Sequence, residues 1–133
     1  MVHTPSFVHL HNHSHYSLLD GHSRIEALVK TAQEMGMPAV ALTDHGNMFG
    51  VVELYQECKK ASAKAAENGL KPIKAIVGME AFIAPEGKSM RTREKVDGEY
   101  GRPLLILAKT YQGHKNLMKL SSKAYLHGFY YRP

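Results

Sequence analysis

A row of histidines on alternate positions is the feature that most constrains this chain. The row lies between Phe7 and Gly21 and consists of His9, His11, His13 and His15. Alternate side chains of an extended segment share one face and lie about 6.6 Å apart. Two imidazoles of the row can therefore converge on one cation, and Asp20 can add a carboxylate oxygen. Because the histidines alternate with apolar and small polar residues, the row favours a metal site over the alternative, a polar strand with hydrogen-bonded histidines.

The composition fits one globular domain. The chain has 133 residues, of which 44% are hydrophobic and 22% are charged. No apolar run approaches the roughly 18 residues of a membrane span. Cys58 is the single cysteine, so an internal disulfide is excluded and we expect a cytoplasmic protein without membrane contact. The formal charge of +5 favours polyanions only weakly.

Apolar periodicity predicts alternating strands and helices. Four strands are predicted, at Phe7–His11, Ala39–Thr43, about 73–83 and 104–108. Three helices are predicted, from Ser23 to Gly36, over about 48–68 and over about 113–126. Ser23 and Glu26 have the spacing of a capping box, and Tyr55 is included in the buried stripe of the second helix. The order β-α-β-α-β-β-α predicts an α/β fold with parallel strands and crossover helices.

Polar side chains occur at the end of the second predicted strand and inside the third. Asp44 and His45 follow the second strand, and Glu80 interrupts the apolar third strand. A buried glutamate is costly unless it is paired or bound to metal. We therefore expect a His/carboxylate site of the kind that suits Zn, Mn or Fe. More than one ion is plausible, and clustered ions favour phosphoester hydrolysis.

The segment 86–102 interrupts this rhythm because it is polar, rich in charge and contains glycine. We interpret it as a surface insertion, and the alternative is a loop that contacts phosphate. Other chemistries have little support. The chain has no glycine-rich nucleotide-binding loop and no G-x-S-x-G motif, and its one cysteine lies within a predicted helix.

Three stretches together resemble the PHP (polymerase and histidinol phosphatase) family, in the version found at the N-terminus of a bacterial replicative DNA polymerase. They read HLHNHSHYSLLDG, ALTDHGNMFG and IVGME. The resemblance implies the front portion of a distorted (β/α)7 barrel that holds up to three metal ions. It also implies that residues 1–133 are the N-terminal part of a PHP domain, that the polymerase domains are absent, and that the reading frame continues past Pro133.

The resemblance also assigns individual residues. The implied metal ligands are His11, His13, Asp20, His45 and Glu80. His9 and Asp44 are candidates to support these ligands from behind, and no catalytic or nucleic-acid-binding residue is assigned. Relatives with a full site have a histidine at the start of the fourth strand, where this chain has Pro103. One ligand is therefore missing unless His114 or another group replaces it.

Three functions remain open at this point. The first is a metal-dependent phosphoesterase, such as a 3′–5′ exonuclease, within a replicative polymerase. The second is a structural module that braces the polymerase without hydrolysis, which the missing ligand favours. The third is a small-molecule phosphatase of the histidinol-phosphate type. The implied cofactors are Zn or Mn in the PHP site and Mg for the polymerase. The implied partners are the rest of the polymerase chain, DNA bound through it, and other replisome subunits.

Overall fold

A computed structural model describes residues 7–89, 91, 95, 98, 101–130 and 132–133. Its helices are α1 (Ile25–Glu34), α2 (Val51–Glu67) and α3 (Tyr111–Lys123), the last continued by a π-helical turn (Ala124–Gly128). Its strands are β1 (Ala39–Leu42), β2 (Lys74–Ile83) and β3 (Arg102–Leu107). The α/β class is confirmed. In the described part of the chain, no helix has both the length and the apolarity that crossing a membrane requires.

The three strands form one mixed sheet in the order β1-β2-β3. β1 and β2 are parallel, with Ala39 opposite Lys74, and α2 is the crossover between them. β2 and β3 are antiparallel, with Phe82 opposite Pro103. The prediction of parallel strands throughout was therefore wrong for β3. Parallel neighbours usually need a crossover helix, and the polar segment 86–102 lacks the apolar periodicity of one. The partial (β/α)7 barrel remains a prediction.

The histidine row is extended, but it does not form the regular strand predicted for residues 7–11. It runs beside β1 and is joined to it by two backbone hydrogen bonds. The N–H of Ala41 donates to the carbonyl of His9 at 3.3 Å, and the N–H of Thr43 donates to the carbonyl of Asn12 at 2.9 Å. These contacts bring the N-terminal segment to the end of β1 at which Asp44 and His45 lie.

The core lies between α1, α2 and the first two strands. Its buried members are Ile25, Val29, Ala32, Val40, Leu42, Leu54, Cys58 and Ile73. The apolar spacing of α1 predicted a core-facing stripe of Ile25, Leu28, Val29 and Ala32, and three of these are buried while Leu28 is partly buried against the core. The predicted stripe of α2 is buried at Val51, Leu54, Cys58 and Ala65. Ala61 is partly buried, and Tyr55 is 60% exposed. The burial of these apolar side chains is the main stabilising contribution to this part of the fold.

The predicted capping box at Ser23 does not form. Arg24 occupies the N-cap of α1, and no side chain caps the helix there. The backbone of Ser23 is instead engaged with the histidine row, since its carbonyl accepts a hydrogen bond from the N–H of His15 at 3.0 Å. This contact places Ser23 one residue too early to cap the helix.

The predicted insertion at 86–102 is described only in part, at residues 86–89, 91, 95, 98, 101 and 102. Its described ends are a turn, in which the N–H of Lys88 donates to the carbonyl of Pro85 at 3.0 Å, and Arg102, which begins β3. The last predicted helix is confirmed as α3, which is capped by Thr110. Only Leu117 of α3 is buried, and Leu120, one helical turn further on, is 41% exposed.

Candidate metal centre

Glu80 lies at the middle of the candidate site and is fixed by the backbone of β2. Its N–H donates to the carbonyl of Asp44 at 3.1 Å, and its carbonyl accepts from the N–H of Gly46 at 2.8 Å. These two bonds extend the parallel pairing of β1 and β2 as far as His45. Glu80 is only 6% exposed. A carboxylate in this position needs a charged or hydrogen-bonding partner because burial penalises its ionised form.

Two imidazoles of the histidine row provide that partner. The Nε2 atoms of His11 and His13 lie 2.5 and 2.7 Å from the same Oε2 atom of Glu80. Burial raises the pKa of Glu80, but the hydrogen bonds from the two histidines outweigh it and the net shift is downward. Glu80 is therefore ionised at neutral pH. The ligand atoms of these three residues all lie within 4.8 Å of one another.

His45 joins this group from the end of β1. Its Nδ1 lies 3.6 Å from Oε1 of Glu80, its Nε2 lies 3.3 Å from Oδ2 of Asp20, and its ring centroid lies 3.9 Å from that of His13. Burial and the neighbouring His13 lower the pKa of His45, so the ring is neutral at neutral pH. Neutral imidazole is the form that binds metal.

The structure thus brings all five predicted ligands to one place, although they are not equally close. His11, His13 and Glu80 form the compact group, and His45 and Asp20 extend it through the longer contacts above. The donor set fits a divalent cation, since imidazole nitrogens with a carboxylate suit Zn or Mn. A second observation supports the fit. The buried Nδ1 of His45 has no hydrogen-bond partner among the described residues, as expected for an atom oriented toward a cation.

Asp44, the carboxylate that follows β1, has a different environment. It is 1% exposed and accepts three hydrogen bonds from the turn that follows His13. The donors are the N–H of Ser14 (2.6 Å), the hydroxyl of Ser14 (2.8 Å) and the hydroxyl of Ser17 (2.7 Å). Ser17 also accepts a bond from the N–H of His45 at 3.0 Å. Asp44 therefore holds the histidine row against the end of β1.

Sequence reasoning missed the two serines. Ser14 is fully buried between two histidines, and Ser17 is 2% exposed. The alternation of the histidines could have indicated Ser14, because a residue between two histidines of an extended row points to the opposite face. A polar residue on that buried face requires a hydrogen-bond partner, and Asp44 is the partner.

The other histidines considered above lie apart from the compact group. The ring of His9 contacts Phe7, with centroids 4.7 Å apart, and the ring of His15 lies against Tyr16 at 4.2 Å. His114 stacks on Tyr111 at 6.2 Å. Among the described residues, none of the three belongs to the His/Glu group. Support of the ligands by His9 and replacement of a ligand by His114 remain predictions.

An α/β chain with a His/carboxylate group beside its parallel strands is typical of proteins that bind a metal ion. The comparisons with known proteins identify the family. The chain belongs to the PHP domain family, whose model matches residues 9–133. The chain is similar to DNA polymerase III subunit alpha from several bacteria. Among them are Treponema pallidum (49% identity over 128 residues), Thermus aquaticus (47% over 130) and Helicobacter pylori (44% over 135).

These matches cover 96–100% of this chain but only 10% of each relative, so the chain spans about a tenth of their length. A solved amidohydrolase from Chromobacterium violaceum is also similar. It shares 20% identity, with 87% of this chain and 34% of that chain covered and a TM-score of 0.48. A similarity at this level is not evidence about function.

Proposed function

We propose that this chain is the N-terminal PHP segment of a DNA polymerase III alpha subunit and that it acts in DNA replication. The similarity of nearly the whole chain to such subunits, at 44–49% identity, supports this assignment. Its partners are then the rest of the polymerase chain, DNA bound through that chain, and other replisome subunits. The compartment is the cytoplasm, and Mg serves the polymerase site elsewhere in the parent protein.

The proposed role of the segment itself is to bind a divalent metal ion, Zn or Mn. One observation carries this proposal: two imidazoles from one extended row meet a single buried carboxylate oxygen. His11, His13 and Glu80 would hold the ion, and His45 and Asp20 would complete its coordination. A bound ion of this kind polarises phosphoryl oxygens and lowers the pKa of bound water.

The proposed site is of the phosphoesterase type, as in a 3′–5′ exonuclease, but it is incomplete in this chain. Two-metal hydrolysis needs a second ion about 3.5–4 Å from the first. The described residues offer one compact group of three ligands. Pro103, opposite Phe82 on β3, has no side-chain atom that binds metal. We therefore expect that residues 1–133 bind metal and do not hydrolyse phosphoesters.

A structural role is the second candidate, and a specific contact favours it. His11 and His13 bond to Glu80, so side-chain contacts link the histidine row to β2. A module held together in this way would brace a polymerase without hydrolysis. A high affinity for Mn or Zn would favour metal binding, whereas no measurable affinity would favour bracing.

Calorimetric titration with Zn and Mn tests the proposal. His13→Ala and Glu80→Gln should weaken binding at least about 10-fold, since each removes a ligand. His22→Ala is the matched control, because His22 is an exposed histidine on the same segment. Equal affinity of wild type and His13→Ala would overturn the ligand assignment. Hydrolysis of p-nitrophenyl phosphate or single-stranded DNA that requires metal and is abolished by His13→Ala would overturn the claim of incompleteness.

A further inference from the structure

The helix α3 carries a row of lysines whose charge nothing else in the helix balances. Lys115, Lys119 and Lys123 follow one another at four-residue steps, and all three are exposed. Residues four apart lie on one face of a helix, and three of them span about 12 Å of its length. No residue of α3 is acidic. These three residues are called the lysine face of α3 below.

The lysine face is turned away from the sheet and is accessible. Leu117 is the buried residue of α3, and the helix contacts β2. Lys115 and Lys119 each stand two residues from Leu117, which places them on the opposite side of the helix. The ammonium group of Lys115 lies 4.7 Å from the centroid of the Tyr111 ring, which is itself 72% exposed. Among the described residues, none of the three lysines forms an ion pair with a carboxylate.

The other two helices of the chain balance their charges, and α3 differs from both. In α1, Lys30 pairs with Glu34 at 3.9 Å, and in α2, Lys60 pairs with Glu57 at 2.6 Å. Both helices also have a glutamate in their first turn, where a negative charge interacts favourably with the helix dipole. The first turn of α3 has none, and only the last of its lysines lies in the final turn, where a cation stabilises the helix. Helix stability therefore does not account for the lysine face.

A line of exposed cations suits a polyanion with regularly spaced charges. A nucleic acid duplex carries about one phosphate charge per 1.7 Å of its axis, so a row of lysines about 12 Å long meets several phosphates. Lysine binds phosphate as a point charge and needs no pocket to do so. A membrane surface fits less well. An amphipathic helix binds lipid through an apolar face, and the buried Leu117 shows that the apolar face of α3 is already occupied.

We propose that the lysine face of α3 binds the phosphate backbone of a nucleic acid duplex. Contacts of this kind position a protein on the duplex and do not read its sequence. In the proposed function, DNA is bound through the rest of the polymerase chain, whereas here the segment itself contacts the backbone. The inference does not depend on the metal centre, because the His/Glu group belongs to the histidine row and β2. The two proposals can therefore fail separately.

Fluorescence anisotropy of the 133-residue chain with a short labelled DNA duplex tests the inference. Three lysine–phosphate contacts should make the affinity fall about 40-fold between 50 and 200 mM salt. A triple variant without the lysine face should bind about 10-fold or more weakly at 50 mM salt and depend less on salt. Its substitutions are Lys115→Gln, Lys119→Gln and Lys123→Gln. Arginine at the same three positions should keep the wild-type affinity, since the charge remains.

A second triple variant is the matched control, because it changes the net charge by the same amount on another helix. It replaces three exposed lysines of α2, in Lys59→Gln, Lys60→Gln and Lys64→Gln. This control should bind the duplex within about 3-fold of the wild type, since exposed charges far from the contact are screened by salt. Circular dichroism should show the wild-type spectrum for every variant, because glutamine and lysine have similar helix propensities.

Four results would overturn the inference. They are an affinity of the α3 glutamine variant within about 3-fold of the wild type, an equal loss in the α2 control, a loss in the arginine variant, and no duplex binding by the wild type at 50 mM salt. Vesicles of phosphatidylcholine and phosphatidylserine provide a further arm. Tighter binding to these vesicles than to the duplex, dependent on the same lysines, would assign the lysine face to a membrane and would also overturn the inference.

Discussion

The substitution Asp44→Ala tests whether Asp44 supports the candidate metal centre without being one of its ligands. Asp44 contacts none of the imidazoles through its side chain, and its carboxylate accepts from the N–H and hydroxyl of Ser14 and the hydroxyl of Ser17. Removing it leaves these three donors buried without a partner. It also leaves the histidine row attached to β1 by fewer contacts, because Ser17 in turn bonds the backbone of His45.

The expected loss of stability can be worked out from these bonds. Each hydrogen bond to a charged group is worth about 1.5–3 kcal/mol, and an unsatisfied buried donor costs about 1–3 kcal/mol. The three bonds form one network and do not add independently. We therefore expect Asp44→Ala to lower the free energy of unfolding by about 3–5 kcal/mol, the range for breaking a buried charged network. Asp44→Asn keeps the shape and one acceptor oxygen, so it should cost less, about 1–3 kcal/mol.

Urea unfolding of the metal-free proteins gives the stabilities, and Mn titration of folded Asp44→Asn gives the effect on the site. The Mn affinity of Asp44→Asn should fall because the histidine row is held less firmly. Glu34→Ala is a suitable control, since Glu34 is an exposed carboxylate on α1. If Asp44→Ala lowers the free energy of unfolding by less than about 1 kcal/mol, the reasoning is refuted, because the loss of three buried hydrogen bonds to a carboxylate should cost more than that.

Three further predictions follow from other parts of the chain. Burial raises the pKa of the Cys58 thiol to about 11. At pH 8 this thiol should therefore react with a disulfide reagent far more slowly in the native protein than in urea, and equal rates would contradict this. Metal affinity should fall as pH drops from 7.5 to 5.5, because only neutral imidazole binds metal and the pKa of an unperturbed histidine is about 6.5. A calorimetric series with constant or rising affinity would count against histidine ligation. Gly21→Ala should lower the melting temperature and the Mn affinity, since its Cβ would lie 1.9 Å from the carbonyl oxygen of Ser14; Gly113→Ala, whose Cβ would meet nothing closer than 3.6 Å, should leave both unchanged.

Apolar periodicity was sufficient to predict the helices and the first two sheet strands. Ile25, Val29 and Leu54 are buried as their spacing requires, because each is positioned by the helix that carries it. The direction of β3 could not be predicted in this way. Pairing direction depends on the path of the connecting segment, and the apolar pattern of Leu104 and its neighbours is the same for a strand in either direction.

The candidate site was predictable because its ligands are chemically unusual where they occur. Glu80 interrupts an apolar strand, and the histidines alternate in a way that few other functions require. The position of Arg132, whose guanidinium carbon lies 4.6 Å from the centroid of the Phe82 ring, could not be found by the same reasoning. Arg132 follows Tyr130 and Tyr131 and has no characteristic spacing from the predicted ligands. Its position beside His45 comes from the packing of Phe82 and Pro133, which sequence pattern does not encode.

The two buried carboxylates of the centre differ in what their partners can do. The donors to Asp44 are hydroxyl and backbone N–H groups, which keep their protons at any physiological pH and cannot be exchanged for a cation without disrupting the turn. The partners of Glu80 are imidazoles, whose neutral form offers a ring-nitrogen lone pair to a metal ion. The contacts around Glu80 can therefore open to admit an ion, while those around Asp44 stay closed. This difference supports Glu80 as the ligand and Asp44 as the residue that keeps the ligands in position.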